Sequence, residues 1–217
     1  MRARAVLFDL DGTLVETRID FAKMKSRMRG FLASQRVDLS ALPSNATTQQ
    51  LMDHARNVMR AGGRSRDEIC RVFAQMEAIM DEVEMESADQ TTAIPGALDA
   101  LKQLSLRGIS LAVVTRGCRG YAVAALRAAA LLNFIDLVVG RDDVAHPKPH
   151  PGHLHHTVSV LGVDLGDCVM VGDTLMDALC ARGAGVPFIA VLTGFRRRDD
   201  FEENGCDVIL SGVSDLP

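Results

Sequence analysis

Residues 5–13 read AVLFDLDGT, four apolar residues followed by two acids, Asp9 and Asp11, and by Gly12. A strand covered on both faces of a parallel sheet is continuously apolar, so Ala5–Phe8 is predicted to be such a strand, with Asp9 at its carboxyl end. Side chains alternate along an extended chain, so the two carboxylates should point the same way over the edge of the sheet. Two acids this close repel each other unless a cation or a shared proton relieves them, which favours a metal site. An ordinary Asp-Gly turn is the alternative.

Similar apolar runs recur along the chain and are separated by helical patterns. The predicted strands span residues 109–114, 135–139, 168–171, 188–192 and 208–210. The predicted helices span residues 97–106, 121–131, 154–161 and 175–181. Because strand and helix alternate, we predict an α/β fold with a doubly wound parallel sheet.

Residues 15–92 interrupt this rhythm. They contain no convincing strand and show three amphipathic helical patterns, separated by turn residues at 42–45 and 62–63. We therefore predict a small helical domain of three or four helices at 15–92, inserted after the first strand. The core that carries the parallel sheet would consist of residues 1–14 and 93–217.

Composition narrows the classes of partner. The formal net charge of −4 over 217 residues gives no overall attraction for nucleic acid or for an anionic membrane. The five cysteines are odd in number and form no CxxC pair, which suits a reducing compartment. The first ten residues are typical of neither a signal peptide nor a membrane span. We expect a cytoplasmic monomer or homodimer that binds neither nucleic acid nor a membrane.

Two further strand ends carry groups suited to phosphate. Ligands of an open parallel sheet bind outside the carboxyl ends of its strands. Thr115 and Arg116 follow the strand at 109–114, where a hydroxyl and backbone N–H groups ahead of a helix can hold phosphate oxygens, although a helix cap would also explain Thr115. Lys148 lies between two prolines that stiffen its backbone, although a lone loop lysine usually faces water.

The strand at 168–171 leads to two more acids. Asp173 stands at its end and can complete a magnesium site with Asp9. Asp177 lies one helical turn further and has two interpretations of similar weight. It belongs to the site, or it forms a capping box with Thr174 at the start of the next helix; both can hold together.

In this order and at successive strand ends, these residues resemble the haloacid dehalogenase (HAD) superfamily. The four matching motifs are Asp9-Leu10-Asp11-Gly12-Thr13, Thr115, Lys148 in Lys-Pro-His-Pro, and Gly172-Asp173-Thr174-Leu175-Met176-Asp177. The helical insertion resembles the C1 cap of subfamily I. Within the superfamily the chain resembles the phosphoglycolate phosphatases.

The resemblance implies a mechanism. Asp9 would attack phosphorus to form an aspartyl-phosphate, and Asp11 would act as acid and then as base. Lys148 and Thr115 would hold the phosphoryl oxygens, supported by Asp177 and Arg116. Mg²⁺ would be bound by Asp9, by the backbone carbonyl of Asp11 and by Asp173. The substrate would be a small phosphorylated metabolite, phosphoglycolate-like or a sugar phosphate.

Two alternative functions remain at this stage. A phosphomutase of the beta-phosphoglucomutase type would use the same aspartyl-phosphate but transfer it to a second hydroxyl. A regulatory protein could keep the fold and lack turnover, although it would have no need for Asp11. Arg116 departs from the small or amide residue of many relatives. Five histidines between 146 and 156 are interpreted as a polar loop leading into an exposed helix rather than as a transition-metal site.

Overall fold

The computed structural model describes residues 3–216. Six strands form one parallel sheet: β1 (Ala5–Phe8), β4 (Ser110–Val114), β5 (Leu137–Val139), β6 (Cys168–Gly172), β7 (Phe188–Val191) and β8 (Val208–Leu210). Their order across the sheet is β5-β4-β1-β6-β7-β8. The predicted α/β fold with a doubly wound parallel sheet is confirmed.

The first strand lies inside the sheet because its side chains are apolar on both faces. All four residues of β1 are buried, and β4 and β6 pair with it on either side. Ala5 and Leu7 pack in one apolar cluster with Leu154 and Cys180, which lie on two covering helices. A strand without a polar face can only be accommodated in this way.

Helices connect the strands of the sheet. They are α4 (Ala97–Leu106), α5 (Arg119–Ala128), α6 (Gly152–Leu161), α7 (Leu175–Ala184) and the short α8 (Arg198–Glu202). From β5 at one edge of the sheet, the chain crosses to β6 beside β1. The reversal of strand order at β1 creates the crevice in which open α/β sheets bind ligands.

A second, two-stranded sheet was not predicted. It pairs β2 (Val15–Glu16) with β3 (Thr92–Ala93) in antiparallel fashion. The expectation that residues 15–92 contain no strand is wrong at both ends, because a two-residue strand is too short to leave an alternating pattern in the sequence. The pair joins the chain segment that follows β1 to the segment that precedes α4.

The insertion forms a compact helical unit over Ile19–Ser87, and the described residues on either side of it form the other unit. The unit therefore starts later and ends earlier than the predicted 15–92. Its helices are α1 (Phe21–Ser34), α2 (Thr48–Ala61) and α3 (Arg66–Met85).

Apolar residues at helical spacing hold the helical unit together. Its buried core includes Met24, Met28 and Leu32 of α1, Leu51, Ala55 and Met59 of α2, and Ile69, Val72, Phe73, Met76, Met80 and Val83 of α3. Thr47 and Ser65 cap α2 and α3 in capping boxes, which satisfy backbone N–H groups that have no partner within the helix. No helix within residues 3–216 combines the length and the apolar character needed to cross a membrane.

Candidate active site

Acidic side chains from two paired strands meet at the carboxyl edge of the sheet. Asp9 follows β1 and Asp173 follows β6, and the two are only 7% and 4% exposed. Asp177, in the first turn of α7, is fully buried. One carboxylate oxygen from each of the three lies within 4.8 Å of the others. The structure thus brings together three of the predicted site residues.

Lys148 supplies the positive charge of this cluster. Its Nζ donates to Asp9 Oδ1 at 2.7 Å and to Asp177 Oδ1 at 2.6 Å, and the side chain is 2% exposed. Burial alone would lower the pKa of Lys148, but the charges of Asp177 and Asp9 outweigh it and raise the pKa above its ordinary value. Lys148 is therefore a permanently charged ammonium next to the predicted nucleophile, not a lysine that faces water.

Asp177 has both of the roles considered from the sequence. Its Oδ1 accepts from Lys148, while its Oδ2 accepts from the backbone N–H of Thr174 at 3.0 Å and from the Thr174 hydroxyl at 2.5 Å. The Thr174 hydroxyl in turn accepts from the Asp177 N–H, which completes a capping box at the start of α7. Burial and the nearby charge of Asp9 raise the pKa of Asp177, and Lys148 opposes that rise. The helix start thereby fixes the carboxylate that positions the lysine.

Asp173 is enclosed by backbone and by one hydroxyl. Thr13 Oγ1 donates to its Oδ1 at 3.0 Å. If Gly12, whose φ is +85°, carried a Cβ atom, that atom would lie 2.5 Å from Asp173 Oδ2. A Cβ atom on Gly194 would lie 1.8 Å from the same oxygen. Only glycine fits at these two positions, because any side chain would overlap the carboxylate. Burial, and then the charge of Asp9, raises the pKa of Asp173 to about 9.

The cluster is suited to a divalent cation. Three buried carboxylates face a single ammonium, so ionising all three without a cation would leave negative charge uncompensated, and this repulsion contributes to the raised pKa values of Asp173 and Asp177. Carboxylate oxygens are the ligands that Mg²⁺ prefers. Asp9 and Asp173 belong to the predicted metal set, and the residues present therefore fit a magnesium ion. Asp177 is the third carboxylate of the cluster, already bonded to Lys148 and Thr174.

The carboxylate of Asp11 is held by a tyrosine. Asp11 is half-buried, and its Oδ1 accepts a hydrogen bond of 2.6 Å from the Tyr121 hydroxyl, on α5. The side chain of Asp11 is not part of the three-carboxylate cluster. The metal role that the resemblance implies for Asp11 belongs to its backbone carbonyl and does not involve this carboxylate.

Thr115 and Arg116 organise the loop after β4. The buried Thr115 hydroxyl accepts from the Gly117 N–H at 3.0 Å. Cys118, not Thr115, is the N-cap of α5, so the helix-cap alternative for Thr115 is wrong. Arg116 Nη1 donates to the backbone carbonyl of Lys148 at 2.6 Å. Arg116 therefore holds in place the segment that carries Lys148, the candidate catalytic lysine.

One histidine of the predicted exposed cluster is a buried part of the site. His146, His150, His155 and His156 are exposed, as expected, but His153 is fully buried and its Nδ1 accepts from the backbone N–H of Lys148 at 3.2 Å. Burial and the charge of Lys148 lower the pKa of His153 to about 3. The expectation of a polar, exposed stretch is wrong at this position, because His153 lies in the first turn of α6, a helix that packs against β4.

Sequence reasoning also missed Tyr121 as a partner of Asp11 and Gly194 as a neighbour of Asp173. Tyr121 is 110 residues from Asp11, and no local pattern connects them. Gly194 follows β7, and its position at a strand end was the one signal that could have indicated a place near the site.

Comparison with known proteins identifies the family of this chain. The model of the family described as haloacid dehalogenase-like hydrolase matches residues 6–191, which include all the residues of the cluster. The chain belongs to this family. It is 30% identical over 220 residues to the phosphoglycolate phosphatase of Caulobacter vibrioides, covering 100% of this chain and 90% of that protein. It is 31% identical over 212 residues to the phosphoglycolate phosphatase of Nitrosospira multiformis, covering 97% of this chain and 92% of that protein.

The fold also matches solved HAD structures. CbbY from Rhodobacter sphaeroides, whose crystal structure contains phosphate, superposes with a TM-score of 0.67 at 23% identity, over 99% of this chain and 96% of that one. The family, the curated relatives and the shared fold together make this protein a HAD-type phosphoric monoester hydrolase, similar to the phosphoglycolate phosphatases.

Proposed function

We propose that this phosphatase depends on Mg²⁺ and hydrolyses a small phosphorylated metabolite through an aspartyl-phosphate on Asp9. The observation that carries the proposal is the buried cluster of Asp9, Lys148, Asp173 and Asp177 at the carboxyl edge of the sheet. A carboxylate there can act as a nucleophile, because an adjacent ammonium reduces its repulsion from a phosphate dianion.

In the first step, Asp9 attacks phosphorus in line with the leaving oxygen. A bond forms between an Asp9 oxygen and phosphorus, and the bond from phosphorus to the leaving oxygen breaks. Lys148 and Thr115 hold the phosphoryl oxygens during the transfer. Asp177 and Arg116 support the step by holding Lys148 through its Nζ and its carbonyl.

Asp11 moves the protons in both steps. It donates one to the leaving alkoxide and later removes one from the water that attacks the aspartyl-phosphate, so its protonation state is restored after each turnover. Asp9, Asp173 and the backbone carbonyl of Asp11 would hold Mg²⁺, which supplies positive charge to neutralise the phosphoryl group and the nucleophile.

The proposed substrate class rests on the names of two relatives. The relatives in Caulobacter vibrioides and Nitrosospira multiformis, which are 30% and 31% identical to this chain, are named phosphoglycolate phosphatases, and we propose phosphoglycolate or a sugar phosphate of similar size as the substrate. We further propose that the helical unit at Ile19–Ser87 acts as a cap that excludes water and selects the substrate. The five free cysteines support a cytoplasmic location.

The test is phosphate release from phosphoglycolate, sugar phosphates, nucleotides and pyrophosphate, with Mg²⁺ or with a chelator. Asp9→Asn should lower the rate roughly a thousandfold or more at every substrate that the wild type accepts. Asp167→Asn is the matched control, because Asp167 precedes β6 at the opposite edge of the sheet and should leave the rate unchanged. Release that persists in the chelator, or in Asp9→Asn, would overturn the proposal.

A further inference from the structure

Tyr121 is a buried aromatic residue whose polar end reaches the site. It is the one tyrosine of the sequence, it lies in the first turn of α5, and its side chain is fully buried. Burying a phenol hydroxyl costs free energy unless the hydroxyl forms a hydrogen bond. The partner of this hydroxyl is a carboxylate to which the proposed function assigns two proton transfers.

Three side chains converge on the Tyr121 oxygen. Its hydroxyl donates to Asp11 Oδ1 at 2.6 Å, the length of a strong O–H···O⁻ bond. Thr17 and Thr91 also form side-chain hydrogen bonds with it. Burial, the charge of Asp11 and this hydrogen bond raise the pKa of Tyr121 above its ordinary value.

The two threonines belong to the segments around the small sheet. Thr17 directly follows β2, and Thr91 directly precedes β3. Tyr121 therefore ties Asp11 both to α5 and to the paired segments that lead into and out of the helical insertion. A carboxylate on a short side chain can rotate about its Cβ–Cγ bond, and a bond to one oxygen removes that freedom.

We propose that Tyr121 is a positioning residue for Asp11, holding its Oδ1 so that Oδ2 is the atom that transfers the proton. In the first step the proton leaves Oδ2 for the departing alkoxide oxygen. In the second step, Oδ2 receives a proton from water as the water oxygen bonds to phosphorus and the bond between phosphorus and Asp9 breaks. This inference rests on the proposed function and adds a residue to it.

The test uses two leaving groups. An alkyl phosphate needs its leaving oxygen protonated, whereas p-nitrophenyl phosphate leaves as a stable phenolate and needs little help from an acid. We expect Tyr121→Phe to lower kcat/KM for the alkyl phosphate roughly tenfold, and for p-nitrophenyl phosphate less than about twofold, because part of the acid catalysis is lost. Asp11→Asn should show the same selectivity to a larger extent.

Two controls distinguish a loss of Asp11 positioning from a general effect of the substitution on folding. Leu126→Val, which shortens a buried side chain further along α5, should change kcat/KM for both substrates by the same factor. In the Asp11→Asn background, Tyr121→Phe should have no further effect on the alkyl phosphate, because a residue that acts through Asp11 has nothing left to position. An equal loss for both substrates, or an additive loss in the double variant, would overturn the inference.

If Tyr121→Phe does not fold, the single tyrosine allows replacement by 3-fluorotyrosine through biosynthetic incorporation. The fluorine makes the phenol a stronger donor in nearly the same volume. The inference predicts a changed ratio of kcat/KM between the two substrates, and an unchanged ratio would contradict it. Phosphate release that survives Asp9→Asn would instead overturn the proposed function itself, so the two failures are distinguishable.

Discussion

At the scale of single residues, the site depends on groups that keep Lys148 and Asp173 in place. Lys148 is held at three points: two carboxylates bind its Nζ, Arg116 binds its carbonyl, and His153 accepts from its N–H. Leaving any of these buried polar groups without a partner costs about 1–3 kcal/mol, more for the charged ones. The arrangement is therefore sensitive to changes in residues that never touch the substrate.

His153 should make the protein less stable in mild acid. Its pKa is lowered from 6.5 to about 3 in the folded protein, so the unfolded chain binds the proton first as the pH falls. The stabilisation from this group is complete above pH 6.5 and is lost progressively toward pH 3, which amounts to about 2 kcal/mol between pH 7 and pH 5.

The measurement is the free energy of unfolding at pH 7 and pH 5 for wild type, His153→Asn and the exposed control His155→Asn. His153→Asn keeps an acceptor for the Lys148 N–H but does not titrate, so its stability should depend less on pH than that of wild type. A pH dependence as steep as that of wild type would show that His153 does not titrate as described. His155→Asn should follow wild type.

Gly194→Ala should displace the carboxylate of Asp173, although Gly194 itself contributes no side chain to the site. The added methyl would lie 1.8 Å from Asp173 Oδ2, so either the loop after β7 or the carboxylate must move. We expect a cost of about 1–3 kcal/mol in unfolding free energy and weaker Mg²⁺ binding by calorimetry. Gly166→Ala is the matched control, because its Cβ would meet nothing within 4 Å. Wild-type Mg²⁺ affinity in Gly194→Ala would refute the close approach.

At the scale of elements, the start of α7 links helix stability to catalysis. The Thr174 hydroxyl caps the helix and also binds the carboxylate that holds Lys148. Thr174→Val should cost about 1 kcal/mol of stability through the lost cap. It should also lower kcat, because Asp177 loses one of its anchors.

The control is Ser65→Ala, which removes the N-cap of α3 in another capping box. It should cost a similar free energy of unfolding and leave kcat closer to wild type. Equal effects of the two variants on kcat at equal stability would mean that the α7 cap has no catalytic consequence.

The long elements were predictable from sequence, and the short or distant pairings were not. The run at 168–171 and the helix pattern at 97–106 agree with β6 and α4 because burial imposes a regular pattern on consecutive residues. β2 and β3 are too short to show one. Asp9 and Asp173 were predicted from their strand ends, and Lys148 from its place between two prolines and from the family resemblance. Tyr121 and His153 lie within helices and act through contacts that only the fold creates.

At the scale of the whole molecule, a continuous chemical site is assembled from segments far apart in the chain. Thr13 and Asp173 are separated by 160 residues, and Lys148 and Asp9 by 139, yet all lie in the unit built on the parallel sheet. The helical unit is inserted between the acidic pair and the rest of the site residues. This arrangement allows the insertion to vary without changing the phosphate chemistry, as sites at strand ends generally do.

The role of Asp9 as the nucleophile can be tested by acid-quenching the enzyme during turnover and measuring the intact protein by mass spectrometry. We expect a transient adduct with the mass of one phosphoryl group, located on Asp9 by peptide mapping and absent from Asp9→Asn. With p-nitrophenyl phosphate, whose leaving group needs little help from an acid, Asp11→Asn should accumulate more of it, because the water that attacks the intermediate loses its base. Turnover with no adduct in any of these proteins, or an adduct on another residue, would show that Asp9 is not the nucleophile.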